Sequence, residues 1–319
     1  MIDTTFQKAI QWVHANTVED EGGIIVSRNK RVLYPEVTGY YIPSLLITGE
    51  SNLASSFAKK LCSIQKPDGS WYDSDNKYPF IFDTGQIIKG LVAILPLLPE
   101  VEENIFRGID WIFSNMNSEG RLIQPNTEIW GKDETHNNDL IHIYVLSPIL
   151  EAARIFNRSD WTENANRVLD YYINTRRDRI VHYSMFNHFY AYVIEGLIDC
   201  GKKDIAIEAM KNFEQYRKPN GGVCAYNDVK WECSTAMFQD AIIWYKLGMK
   251  DKGDLTFEHT CSLQNETGGW NGCYEYNIMD ILKSKLSRFL KTRRLYMRDD
   301  EISWAVKFYL DARYYKNMM

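Results

Sequence analysis

The chain of 319 residues has 37 Lys and Arg against 42 Asp and Glu, a net charge of −5, with 45% hydrophobic and 25% charged residues. That composition can fill a large core and excludes intrinsic disorder, and its acidic balance excludes a duplex nucleic-acid binder, which needs a phosphate-facing surplus of cations. No apolar run reaches membrane-spanning length, Met1 to Lys8 carries no signal-peptide pattern, and six cysteines show neither a CxxC pair nor a zinc spacing, so we expect a cytoplasmic chain with reduced thiols, no membrane span, no metal and no organic cofactor.

In chain order, an amphipathic stretch near 3–16 meets the turn Glu21-Gly22-Gly23-Ile24 and then a more apolar stretch near 36–48. The pattern repeats with 51–65, Gln65-Lys66-Pro67-Asp68-Gly69-Ser70-Trp71 and 80–95, and again with 99–115, Asn117-Ser118-Glu119-Gly120-Arg121-Leu122 and 138–156. A fourth pair, 159–174 and 185–200, has Asn174 to Ile180 in the turn position, without a glycine. The fifth, 203–216 and 232–247, flanks Lys218-Pro219-Asn220-Gly221-Gly222-Val223. The sixth, 251–264 and 299–316, flanks Gln264-Asn265-Glu266-Thr267-Gly268-Gly269-Trp270 and a basic insertion near 274–298. Within the first member of a pair the apolar spacing is helical, as in Leu53, Phe57, Leu61 and Ile64, and the second member is apolar nearly all round. Gly49, Gly201 and Gly248 stand where a left-handed residue closes an inner helix.

Six pairs at roughly 40 to 50 residues each predict one all-α domain over 1–319, a closed ring of six helical hairpins, the (α/α)6 toroid. TPR-type solenoids have shorter repeats and lack this glycine-aromatic turn.

In such a ring the long turns and inner-helix N-termini gather on one face, where the helix dipoles favour anions. The residues expected there are Tyr34, Glu36, Tyr40 and Tyr41; Trp71, Tyr72, Phe82 and Asp83; Trp130, His136, Asn138 and His142; His182, Tyr183 and His188; Trp231 and Glu232; and Arg298, Asp300, Glu301 and Trp304. Aromatic rings stack on sugar faces while carboxylates and imidazoles bind hydroxyls or move protons, so the mixture suits a saccharide. Asp83 opens an apolar helix where burial could raise its pKa into the range of a general acid, with Glu36, Glu232 or Glu301 as a second carboxylate and His188 as an alternative base. The structural alternatives are helix-terminal carboxylates that complement the dipole, a hydrogen-bonded core histidine, and a small buried thiol at Cys233.

The Gln65–Trp71 and Gln264–Trp270 segments resemble the Q-x-x-x-G-x-W turns of triterpene cyclases, and comparable D-G-x-W turns occur in glycan-processing toroids. Tyr34-Pro35-Glu36-Val37-Thr38-Gly39-Tyr40, Phe82-Asp83-Thr84-Gly85-Gln86, Trp231-Glu232-Cys233-Ser234-Thr235 and Asp300-Glu301-Ile302-Ser303-Trp304-Ala305-Val306-Lys307 resemble segments of uncharacterised toroid proteins associated with bacterial surface polysaccharide biosynthesis. The resemblance implies the fold of unsaturated glucuronyl hydrolases, polysaccharide lyases and the helical domain of glucuronyl C5-epimerases. It also implies hydrolysis, elimination or epimerisation of an acidic, uronate-containing saccharide or its precursor. A terpene-cyclase or prenyltransferase-like enzyme is the alternative, although Asp73-Ser74-Asp75-Asn76 departs from the cyclase D-x-D-D pattern at its last position. A non-catalytic glycan-binding subunit is the third reading.

Overall fold

The computed structural model describes residues 3–18, 22–125, 137–287 and 293–319. Outer and inner helices alternate as α1 (Thr4–Asn16) with α2 (Pro35–Ile47), α3 (Ser51–Ile64) with α4 (Ile81–Ile94), and α5 (Glu102–Ser114) with a 3-10 segment, Asn137–Val145, that leads into α6 (Leu146–Phe156). They continue as α7 (Ser159–Val181) with α8 (Asn187–Asp199), α9 (Lys203–Phe213) with α10 (Ser234–Lys246), and α11 (Lys250–Ser262) with α13 (Ser303–Met318), the short α12 (Ile278–Lys285) lying between the last two. Antiparallel pairs β1 (Thr17–Val18) with β2 (Gly23–Ile24) and β3 (Glu232–Cys233) with β4 (Cys273–Tyr274) brace the turns. Among the described residues no helix is long and apolar enough to cross a membrane.

The inner helices contact one another in the order α2, α4, the 3-10 segment with α6, α8, α10, α13 and back to α2, which closes the ring. Each inner helix therefore has neighbours on several sides. In α10 every residue from Ser234 to Tyr245 is buried, whereas the outer α11 buries Gly253, Thr256, Phe257 and Thr260. Gly49, Gly201 and Gly248 take positive φ after inner helices, at 87°, 77° and 78°.

The turn motif has a physical explanation. Gln65 donates from Nε2 to Gly69 O in its own turn and to Asn104 O in the next outer helix, both at 2.9 Å, while Trp71 Nε1 donates to Leu61 O at 2.7 Å. Gln264 and Trp270 repeat this: Gln264 reaches Gly268 O and Thr5 O at 3.0 Å, and Trp270 reaches Thr260 O at 2.8 Å. Gly69, Gly120, Gly221 and Gly268 share φ of 95° or 96°, and a Cβ there would overlap the carbonyl of Arg107, Arg167, Leu255 and Lys8 respectively. Each such turn therefore clasps the outer helix of the following hairpin, and the last one clasps α1.

The fourth hairpin departs from expectation. No turn opens at Asn174–Ile180; α7 kinks at Arg176 (φ −126°, ψ 15°) and continues to Val181, because no glycine is there to reverse the chain. The backbone becomes extended only at His182.

Candidate active site

The inner helices α2, α4, α8, α10 and α13 begin at Tyr34, Phe80, Phe186, Cys233 and Ile302, none of which caps its helix with a side chain. Apolar and aromatic residues occupy positions that Ser, Thr, Asp or Asn usually fill, so these helix ends keep their dipole potential. Glu36 and Asp83 sit in the first turns of α2 and α4 and are 3% and 2% exposed. The Tyr34 hydroxyl donates to Asp83 Oδ2 at 3.0 Å, and the Trp304 indole donates to Glu36 Oε2 at 3.3 Å. Tyr34 and Trp304, both part-exposed, meet edge to face at 5.8 Å. Two carboxyls thus lie beneath an aromatic pair.

Burial pushes the Asp83 carboxyl up to about 7, with the Tyr34 hydrogen bond opposing the shift and the Asp73 charge assisting it. Glu36 is raised well above the carboxylate range, first by burial and then by the charge of Asp83, against the Trp304 indole, Lys307 and Tyr40. The pair keeps at least one proton near neutral pH.

His188 on α8 forms the other side. Its Nδ1 lies 2.6 Å from Gln239 Oε1, an acceptor, so Nδ1 carries the proton and Nε2 faces the Tyr192 hydroxyl at 3.4 Å. Burial lowers its pKa to about 4, which leaves a neutral imidazole. Tyr192 connects the two sides, with ring centroids 4.7 Å from both Phe82 and His188. The buried Tyr40 hydroxyl lies against Glu36 and Tyr192, and hydrogen bonding to it offsets part of the upward pKa shift of each. Beneath them the buried Lys307 ammonium pairs with Asp311 at 2.8 Å and sits 4.7 Å from the Tyr40 ring and 3.8 Å from that of Phe308. A cavity of about 660 Å³ lined by Phe186, Phe189, Tyr226, Tyr296, Arg298 and Lys285, among others, lies next to this site, the Tyr296 ring standing 6.1 Å from that of His188.

Several expected site residues belong elsewhere. Trp71 is fully buried beneath its turn and offers no face to a ligand. Tyr72 lies on the flank, under the Lys66 ammonium at 4.7 Å. Glu301 accepts from the Trp12 indole at 2.7 Å, Asn265 at 2.8 Å and the Thr267 hydroxyl. Glu232 is fully buried and bridges Lys218 at 2.6 Å and His259 at 2.8 Å. Both glutamates stand two residues before an inner helix, beneath the second glycine of a Gly-Gly pair, Gly222 or Gly269, where a Cβ would overlap the carboxylate. They stitch turns to inner helices, and the missing side chain makes room for them.

His142 is buried with its pKa lowered to about 3, first by burial, and faces the Tyr172 hydroxyl at 3.3 Å. Tyr183 is buried and donates to Cys224 O, and Trp231 is buried in a cluster with Phe186, Cys233 and Cys273. Burial raises the Cys233 thiol, which keeps it protonated. Trp130, His136, Arg288 and Lys291 and the Asn138 side chain lie outside the described residues. Among the described residues no group of three or more His, Cys, Asp or Glu could hold a metal.

The sequence reading missed Tyr192, Gln239, Tyr296 and Lys307. Tyr192 was findable, because a residue four positions after His188 shares its helix face, and a lysine inside the apolar stretch of α13 marked an internal charge. Gln239 and Tyr296 carry no such signal.

No family model and no curated protein matches the chain. Solved structures match it along nearly the whole length. A D-mannose isomerase superposes with a TM-score of 0.72 at 10% identity, covering 99% of this chain and 97% of that one. An unsaturated glucuronyl hydrolase specific for heparin gives 0.71 at 13%, with 98% and 96% covered. The fold is the (α/α)6 toroid. A type II terpene cyclase from Scytonema gives 0.62 at 13%, with 98% of both chains covered, so the ring is common to unlike chemistries.

Proposed function

We propose that the cleft is the active site of a carbohydrate-active enzyme that works by acid and base chemistry on an acidic, uronate-containing saccharide or its precursor. The observation that carries this reading is Asp83, a buried carboxyl with a pKa of about 7, bonded to Tyr34 beneath part-exposed aromatic rings. Such a group can donate and recover a proton at neutral pH. Glu36, raised above the carboxylate range chiefly by burial, is the second carboxyl of the pair, and the neutral His188 offers Nε2 as a base from the opposite side. Tyr34 and Trp304 provide stacking surfaces over the carboxyls, and the neighbouring cavity adds Phe189 and Tyr296 with Lys285, Arg294 and Arg298, whose charges favour a sugar carboxylate.

Hydrolysis, elimination and epimerisation share this proton transfer and separate by product. Two of the neighbouring enzymes act on sugars by their names, which supports the saccharide reading. The cyclase reading has less support, since Asp75 is exposed and bonded to Lys30 rather than buried as an acid in the cavity. A binding screen with uronate-containing and neutral oligosaccharides tests the proposal. Bound acidic glycans are then incubated with enzyme and followed for new reducing ends, for a new conjugated double bond, and for deuterium uptake from heavy water. Failure of every acidic glycan to bind, with turnover of an isoprenoid substrate instead, would refute it.

A further inference from the structure

The basic insertion also has an outward face that is separate from the residues proposed to bind substrate. Over 274–298 the sequence has seven Lys and Arg against two Asp and Glu, in a chain whose net charge is −5. Its helix α12 forms for local reasons: Asn277 Oδ1 accepts from Asp280 N and Asp280 Oδ2 accepts from Asn277 N, both at 3.0 Å, a complete capping box. No residue of α12 is buried. Only Ile281 packs against the core, on the cluster around Phe186 and Trp231.

The two sides of α12 differ. Ile281, Ser284 and Lys285 line the 660 Å³ cavity beside the site, and Ser284 Oγ accepts from Leu295 N at 3.0 Å, which ties the helix down. On the outward side Ile278, Met279, Leu282 and Leu286 are 76%, 58%, 47% and 47% exposed. At about 100° of arc per residue these four fall within one stripe, and Lys283 and Lys285 flank it on opposite edges. An apolar stripe edged by lysines is the pattern of a helix that lies in a lipid interface, its aliphatic groups entering the acyl boundary and its ammonium groups reaching anionic headgroups.

We propose that α12 docks this protein on an anionic phospholipid surface, with the cavity lined by Ile281, Ser284 and Lys285 held beside the headgroups. Charge favours lipid over a second copy of the chain, because a self-pair would bring both sets of lysines and arginines together. Binding is peripheral and reversible, since three side chains on one short helix and a fourth at its C-cap give modest affinity.

The test is co-sedimentation of the full chain with vesicles of phosphatidylcholine alone or mixed with phosphatidylglycerol. We expect binding to the mixed vesicles, little to the neutral ones, and loss of binding in high salt. The variant Ile278→Ser/Met279→Ser/Leu282→Ser should bind mixed vesicles about ten-fold more weakly or worse. Its melting temperature should stay unchanged, because these side chains are exposed. Lys283→Gln/Lys285→Gln should weaken binding and flatten its salt dependence. Absence of binding to mixed vesicles, or equal binding by the serine variant, would overturn the proposal. So would a dimer of the wild-type chain that the serine variant loses, which would make the stripe a contact between copies.

Discussion

Replacing Asp83 with Asn should make the protein more stable and less active. The Asn side chain keeps the shape and can still accept the Tyr34 hydrogen bond, while the titration disappears. The carboxyl moves from an ordinary value of 3.8 to about 7 on folding. Between these values the native chain holds a proton that the unfolded chain has lost, so wild-type stability falls as pH rises through this window and levels off above it. At about 1.36 kcal/mol per pH unit the difference amounts to at most about 4 kcal/mol. For 319 residues, at about 2.1 cal/mol/K per residue, the ceiling on the melting-temperature gain is about 6 °C. Removing the Asp83 charge also relieves Glu36, which extends the effect in the same direction. Calorimetry from pH 4 to 8 should show the variant and wild type close together in acid and diverging towards pH 7. On the substrate found by the binding screen, the rate should fall roughly 100-fold or more. A variant less stable than wild type at pH 8, with a gap that ignores pH, would refute the reasoning about burial.

Tyr34→Phe removes the hydrogen bond that holds the Asp83 pKa down, so the limb of the pH–rate profile assigned to Asp83 should move to higher pH, with a smaller rate loss than Asp83→Asn causes. Trp71→Phe leaves the buried Leu61 carbonyl unpaired and should cost about 1–3 kcal/mol in denaturant titration, with kcat of the folded fraction unchanged. Gly222→Ala and Glu232→Ala should each destabilise, and the double variant should be milder than their sum by about 0.5–3 kcal/mol, since removing the carboxylate frees the space that the new Cβ needs.

The ring was legible because its grammar is local. A glycine with φ near 95°, a glutamine that bridges two hairpins and a tryptophan that caps its own outer helix are all visible in Gln65–Trp71 and Gln264–Trp270. The fourth turn was misplaced where that grammar lapses, since helical periodicity alone does not say where α7 stops. The candidate site was legible only in part. Location near an inner-helix start selects Asp83 and Glu36, but it selects Glu232 and Glu301 equally well, and sequence distance does not reveal which way a side chain points. Gly222 and Gly269 held a clue in retrospect: a second glycine after the turning one leaves a space, and each space is filled by a glutamate from downstream.

Closure of the ring on α1 has a consequence for how the chain reaches this state. The Trp12 indole and the Glu301 carboxylate that bind each other are 289 residues apart, and Lys8 and Thr5 wait for Gly268 and Gln264. During synthesis α1 precedes the other helices of the ring, yet the Trp12 indole on its apolar face has no carboxylate partner until Glu301 is made. The five other hairpins can dock on a predecessor as they appear. Sealing the ring is a separate, non-local event whose entropy must be met at once, which makes it the natural slow step of folding. An open, crescent-shaped chain with a bare edge at each end is the species to seek when refolding stalls or when the first helix is cut away.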